Sequence, residues 1–311
     1  MPSIAGFGHD LPEGVIDNAA LAAELGVTED WIFQVSGIRT RRCLAPGETA
    51  CDLAHRAALA CLADAGMTPA DLGGIVVGTG TPPRQFPGVS ADLQKRMSVP
   101  GIPAFDIHLA SVGGFFALAT ASALCAQYGP ILAVGAEAMT TVMARAPRVK
   151  ETAILFGDGA GAALVCPGDG PIMIEDIRIA SDGTFADSLS MDFGETLRMD
   201  GRTVILQANR KLKASISELL SRNGLAVEDV GLFLFHQANL NLLRQVGNAL
   251  KIDPEKVFVD IDKYGNTSAA SLLIAMSEAK AEGRLSPGTR VVLAAFGAGM
   301  GWGAALLSCR A

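Results

Sequence analysis

A glycine-rich segment that occurs twice limits what this chain can become. Phe156-Gly157-Asp158-Gly159-Ala160-Gly161-Ala162-Ala163-Leu164-Val165-Cys166 is echoed by Phe296-Gly297-Ala298-Gly299-Met300-Gly301-Trp302-Gly303-Ala304-Ala305-Leu306-Leu307-Ser308-Cys309, with a two-residue insertion, Trp302-Gly303, and Ser308 added before the last cysteine in the second copy. A chain that closes two stretches with the same hairpin is built from two similar halves. Upstream of each copy lie a strand-like run and, before it, a helix, one starting at Ser111 and the other near Thr267. The duplication therefore puts Ser111 and Asn266 at two facing helix N-termini about a pseudo-twofold axis, near unpaired backbone N–H groups. Gly157, Gly159 and Ala162 also fit the dinucleotide fingerprint G-x-G-x-x-A, but that motif must open a helix. Ala163-Leu164-Val165-Cys166-Pro167 reads instead as a strand ended by proline.

Strand-like runs alternate with helical ones along the whole chain. The strands are expected at Gly74 to Gly80, Ile131 to Gly135, Ala153 to Phe156, Val230 to Phe235 and Arg290 to Phe296. The helices are expected at Cys51 to Ala65, Ser111 to Tyr128, Val204 to Arg222, Leu240 to Leu250 and Ser268 to Glu282, each ending near Gly, Asn or Pro. Such alternation implies α/β layers. At 311 residues and 50% hydrophobic, the chain can bury one large core or two smaller ones, and the halves divide at 1–168 and 169–311.

A formal charge of −7 with no Lys/Arg run argues against a nucleic-acid surface. The six cysteines include no CxxC pair, so neither structural zinc, another metal centre nor a disulfide framework is expected. Residues 109–126 are uncharged over 18 positions, long enough for a membrane span, yet they are rich in Ala, Ser, Thr and Gly without anchoring flanks. A buried core helix is the better reading. Met1-Pro2-Ser3 opens no signal peptide, so a cytoplasmic protein is expected.

Only four histidines are available for acid–base chemistry. His236 directly follows the apolar run Leu232-Phe233-Leu234-Phe235, at the C-terminal end of a strand, and Gln237-Ala238-Asn239 then opens a helix. Asn266 lies in Tyr264-Gly265-Asn266-Thr267-Ser268, where a helix cap alone would explain it. The duplication sets that loop opposite Ser111 and points its amide toward a shared centre.

These residues carry a resemblance. The chain resembles ketoacyl-[acyl-carrier-protein] synthase III, a condensing enzyme of the thiolase superfamily, in Thr28-Glu29-Asp30-Trp31-Ile32, Ser36-Gly37-Ile38-Arg39, Phe86-Pro87, Asp106-Ile107, Phe156 to Gly161, His236 to Asn239, Gly265 to Ser268 and the loop Phe296 to Gly303. The match runs end to end and in order. It implies a five-layered αβαβα fold from two duplicated halves, working as a homodimer. In the family a cysteine takes an acyl group from acyl-CoA, while His and Asn bind the carbonyl of a malonyl thioester, so that loss of CO2 leaves a stabilised enolate. By motif these two are His236 and Asn266, and the nucleophile position falls on Ser111. The oxyanion hole would use the backbone N–H groups of Ser111 and of the Gly297-Ala298-Gly299 loop, with Ala298 the donor. Trp31 matches the adenine-stacking residue of the CoA entrance, Lys150 the cation across from it, and Asn239 belongs with the substrate-binding set. The basic residue expected four positions after Trp31 is Val35. Phe86 matches a residue that reaches across the dimer into the partner's acyl pocket. Arg210, Lys211, Lys213, Arg244 and Lys251 offer a basic patch for an acidic acyl carrier protein, or are ordinary solvated helix charges. Coenzyme A thioester would be substrate rather than resident cofactor.

Serine changes the chemistry. A thiol with a reference pKa of about 8.5 ionises partly near neutrality, whereas a hydroxyl needs a positioned base. Ser111, His236 and Asn266 then resemble a triad in which Asn orients the imidazole without balancing its charge. Three readings stand: a native variant that transfers or condenses unusual acyl groups, a cysteine-to-serine synthase impaired in condensation, and a non-catalytic paralogue. An α/β-hydrolase is the remote alternative. Leu109-Ala110-Ser111-Val112-Gly113 keeps only the serine and last glycine of G-x-S-x-G, and Leu109 stands where a small residue is needed.

Overall fold

The computed structural model describes residues 1–310. Its strands are β1 (Pro2–Asp10), β2 (Gly74–Gly78), β3 (Ala104–Ile107), β4 (Ile131–Ala138), β5 (Asp158–Pro167), β6 (Ile172–Ser181), β7 (Leu232–Phe235), β8 (Arg290–Gly297) and β9 (Gly301–Cys309). They hydrogen-bond in the order β7-β8-β9-β6-β1-β5-β4-β2-β3. The join between β6 and β1 is only two residues long, Ser3 opposite Met173 and Ile4 opposite Ile172. The ladder therefore behaves as two sheets, β1-β5-β4-β2-β3 and β7-β8-β9-β6, hinged at that short contact.

Helices fill three layers around the two sheets. Helix α1 (Ala50–Asp64) and α2 (Val89–Arg96) cover the outer face of the first sheet through Leu53, Ala57, Cys61 and Leu93. Helix α3 (Gly113–Tyr128) is sandwiched between the sheets together with α6 (Ser271–Ala281), and the two share one cluster with Val76, Ala133 and Val165 on one side and Leu234, Leu293 and Leu307 on the other. Helix α4 (Gly201–Arg222) and α5 (Leu240–Leu250) cover the second sheet's outer face. This is the five-layered αβαβα arrangement expected from the sequence. Both central helices are apolar nearly all round because each faces a sheet on two sides. Gly114 lets them approach: a Cβ there would lie 2.1 Å from the carbonyl oxygen of Ala269.

Three expectations need correction. Ala153 to Phe156 is no strand; Lys150–Ala153 is a short helix followed by a turn. The strand that pairs with the first glycine-rich copy is β4, antiparallel to β5 from Ile131 opposite Val165 to Ala138 opposite Asp158. In the second half β8 and β9 are separated only by a turn, so the copies match in their strands but not in their connections. Local apolar content cannot show where a long connection is inserted. The apolar central helix starts at Gly113 rather than Ser111, and Ser268–Ala270 is a separate 3-10 turn before α6. Among the described residues no helix is long and apolar enough to cross a membrane.

Candidate active site

Ser111 sits in the turn between β3 and α3, buried, with φ +66°. That left-handed conformation costs a residue with a Cβ about 1–2 kcal/mol, so the surroundings must enforce it. Two contacts do so. The Ser111 N–H donates to Ser268 Oγ at 2.8 Å. On the opposite side Gly297 presses on the turn so closely that a Cβ there would meet the Ala110 carbonyl oxygen at 2.5 Å and the Val112 nitrogen at 2.6 Å. The Ser111 hydroxyl makes no hydrogen bond among the described residues and opens into a cavity of about 90 Å3. His236, Asn266 and Asn239 line the same cavity, with an apolar wall that includes Phe156, Leu189, Met199, Val204 and Phe296.

His236 directly follows β7 and is buried. Burial pushes its imidazole down to about 3, which leaves it neutral at physiological pH. Its Nδ1 lies 2.5 Å from Ser271 Oγ, and the Gln237 N–H donates to the same oxygen at 3.1 Å. An amide N–H can only donate, and the Ser271 hydroxyl proton has no other partner among the described residues than Nδ1. With every partner satisfied, the resting imidazole proton is on Nε2. Asn266 Oδ1 accepts from the Ser268 N–H at 2.9 Å, while its Nδ2 donates to the Ala238 carbonyl at 3.4 Å. The Asn266 amide is thereby aimed by its own turn, as an Asx cap is.

The structure thus brings Ser111, His236 and Asn266 to one cavity and leaves other expected roles changed. The two amides expected to form an open oxyanion pair both have partners: Ser111 N–H is held by Ser268, and Ala298 N–H donates to the Ala110 carbonyl at 3.3 Å. Buried backbone donors seldom stay unpaired, and these two find acceptors within the turn. Asn239 caps α5 by accepting from the N–H groups of Asn241 and Leu242, and its Nδ2 donates to the Val35 carbonyl at 2.8 Å. Most of its polar capacity therefore shapes the rim. That bond also ties the cavity mouth to the helix Glu29–Ser36, which carries Trp31. Lys150 Nζ lies 5.6 Å from the centre of the Trp31 ring, so the two residues expected at the CoA entrance do meet. Phe86 is 82% exposed and outside this cavity. Beside it a cleft of about 620 Å3 opens between Thr81–Gln85, His108, Arg145 and Phe193. Of the basic residues, Arg210, Lys213, Arg244 and Lys251 are exposed without an ion pair among the described residues, whereas Lys211 pairs with Asp182 and lies over Trp302.

Three site residues escaped sequence reasoning. Glu137, Ser268 and Ser271 touch Ser111 or His236 directly or through one atom. Glu137 did leave a signal: it is the one charged residue in the strand Ile131–Ala138, whose every position is buried.

The description 3-Oxoacyl-[acyl-carrier-protein (ACP)] synthase III fits residues 105–183, and that of its C-terminal part fits 220–309. The beta-ketoacyl-[acyl-carrier-protein] synthase III of Nitratidesulfovibrio vulgaris (strain DP4) is 38% identical over 324 residues, covering 98% of each chain. The crystal structure of 3-oxoacyl-[acyl-carrier-protein] synthase III from Aquifex aeolicus VF5 superposes with a TM-score of 0.94 at 35% identity, over 99% of this chain and 100% of that one. The priming beta-ketosynthase of the R1128 polyketide pathway superposes at 0.91 with 30% identity, over 100% of this chain and 97% of its own. With the duplicated halves, the five layers and a shared Ser/His/Asn cavity in place, these likenesses make the chain a member of the 3-oxoacyl-[acyl-carrier-protein] synthase III family of thiolase-fold condensing enzymes.

Proposed function

We propose that the protein is a synthase III-type acyltransferase that takes an acyl group from an acyl-CoA onto Ser111 and passes it to a malonyl thioester. The observation that carries this reading is the unbonded Ser111 hydroxyl, in a strained conformation, facing a cavity it shares with His236 and Asn266. In the first half-reaction Ser111 Oγ attacks the thioester carbonyl carbon and its proton passes to His236 Nε2. The C–S bond breaks and the thiolate leaves with that proton, giving an oxygen ester. This half requires the tautomer in which Nδ1–H donates to Ser271 Oγ. In the second half Nε2–H and the Asn266 amide donate to the malonyl thioester carbonyl. The bond to the carboxylate breaks, CO2 leaves, and the electron pair passes through the enolate to the ester carbon. Ser111 Oγ departs and is reprotonated, with one proton taken up from water.

The resting tautomer suits the second half as it stands, and the first only after the proton moves. An oxygen ester is less electrophilic toward a carbon nucleophile than a thioester, so condensation through Ser111 is slower than it would be through a cysteine. A synthase impaired in condensation is the second reading, favoured by the occupied amides of Ser111 and Ala298. In this proposal the enzyme is a cytoplasmic homodimer, Phe86 lines the partner's acyl pocket, Trp31 and Lys150 hold the adenine end of CoA, and the exposed basic residues of α4 and α5 receive the carrier protein.

The test is intact-mass analysis after incubation with a panel of acyl-CoAs. Wild type and Ser111→Cys should gain one acyl mass and Ser111→Ala none. Ser111→Cys should condense faster than wild type if the enzyme is a substituted synthase, and lose transfer if it is adapted to serine. An absence of adduct with every donor, together with unchanged malonyl-thioester decarboxylation in His236→Ala, sinks the catalytic reading.

A further inference from the structure

Glu137 is a wholly buried carboxylate with no lysine or arginine beside it among the described residues. Burial pushes its pKa up, and the groups around it push back. It accepts from the Gly80 N–H at 3.0 Å, the Ala269 N–H at 3.2 Å and the Thr81 hydroxyl at 2.5 Å. The Thr81 oxygen already accepts from the Ala138 N–H at 2.8 Å, so its proton goes to Glu137. The Thr79 hydroxyl donates from 3.5 Å, and the fifth donor is Ser268 Oγ at 2.9 Å. Ser268 Oγ accepts from the Ser111 N–H, which can act only as a donor, so the direction of the chain is fixed at both ends: Ser111 N–H to Ser268 Oγ, Ser268 O–H to Glu137. A carboxyl oxygen that takes the Ser268 proton at the far end makes the Ser268 oxygen a stronger acceptor, as cooperative chains in a low dielectric do.

We infer that Glu137 and Ser268 are positioning residues that hold Ser111 in its left-handed conformation and so keep its hydroxyl facing the cavity. Without the Ser268 oxygen, the Ser111 amide loses its one hydrogen bond and the residue relaxes toward negative φ, swinging Oγ away. This rests on the proposed acyl-accepting role of Ser111. Decarboxylation belongs to other atoms. Asn266 is aimed by the Ser268 main-chain N–H, and His236 by Ser271, so neither depends on the Ser268 hydroxyl.

The test separates the two activities in the full-length protein. In Ser268→Ala the rate of acyl adduct formation should fall at least tenfold, while malonyl-thioester decarboxylation stays within twofold of wild type and the melting temperature confirms a folded protein. Glu137→Gln keeps the shape but puts an amide where the carboxyl accepts five donors, and should give a smaller fall in adduct formation with the same split; it decides the matter if Ser268→Ala does not fold. Equal losses of both activities, or adduct formation at the wild-type rate, overturn the inference. Wild type that forms no adduct overturns the reading of Ser111 beneath it instead.

Discussion

Ser111 and Ser268 hold corresponding places in the two halves, each in the turn before a central helix and each at positive φ, +66° and +48°. They touch, N–H to Oγ, yet their hydroxyls have opposite fates. The Ser268 hydroxyl is tied to a buried carboxylate and to a neighbouring amide. The Ser111 hydroxyl has no partner among the described residues and faces a cavity. The pair teaches how a duplicated turn divides labour: the same strained backbone can present a reactive atom or brace one, depending on which polar groups surround it.

The sharpest way to break this pairing is to wedge the halves apart. Gly114→Ala puts a methyl group 2.1 Å from the Ala269 carbonyl, main chain against main chain, and is expected to destabilise the protein by more than the about 1–3 kcal/mol of ordinary overpacking. Urea unfolding should show a large fall in midpoint, and a near-wild-type midpoint shows that the two turns tolerate separation. Next comes Ser271→Ala, which leaves His236 Nδ1 and the Gln237 N–H without their shared oxygen, at about 1–3 kcal/mol in stability. Nitrogen chemical shifts of His236 should report a change of tautomer, and decarboxylation should fall by roughly tenfold to a hundredfold, the rate equivalent of about 1–3 kcal/mol. An unchanged tautomer contradicts the proton placement derived above.

The smallest effect concerns the scaffold of the second turn. Burial pushes the Asp260 carboxyl up to about 8, well above its unfolded value, with Glu278 adding to the shift. A raised folded pKa means that the native state holds a proton the unfolded chain has released, so this contribution declines as pH rises from about 4 toward 8. Asp260→Asn removes the effect. From pH 6 to pH 7 wild type should lose about 1.4 kcal/mol relative to the variant, and parallel stability curves for the two proteins refute the assignment. His236 acts in the opposite sense in both proteins. Its lowered pKa makes stability fall as pH drops below about 6.5, so it cancels from the difference.

Much of this site was legible from order and spacing. The duplicated glycine-rich segments foretold two similar halves, and the run Leu232 to Phe235 foretold that His236 directly follows a strand. Leu240–Leu250 was bounded correctly because Asn239 caps it with its own side chain. What stayed hidden depends on pairs distant in sequence. Glu137 and Ser268 are 131 positions apart and Ser111 and Ser268 157, and no local pattern announces such bonds. The residues Ala153 to Phe156 read as a strand from apolar content alone, whereas the connection between β4 and β5 uses those side chains to wall the cavity and flank the Trp31 helix.

The restraint on Ser111 acts on its main-chain nitrogen, not on its side chain. The turn is therefore indifferent to whether oxygen or sulfur hangs from that Cβ, and a single mutational step can exchange the two without rebuilding the fold. A lineage can change how its acyl intermediate reacts while inheriting the same scaffold, the same histidine and the same asparagine. In this molecule the evolvability of the chemistry is a property of one backbone amide.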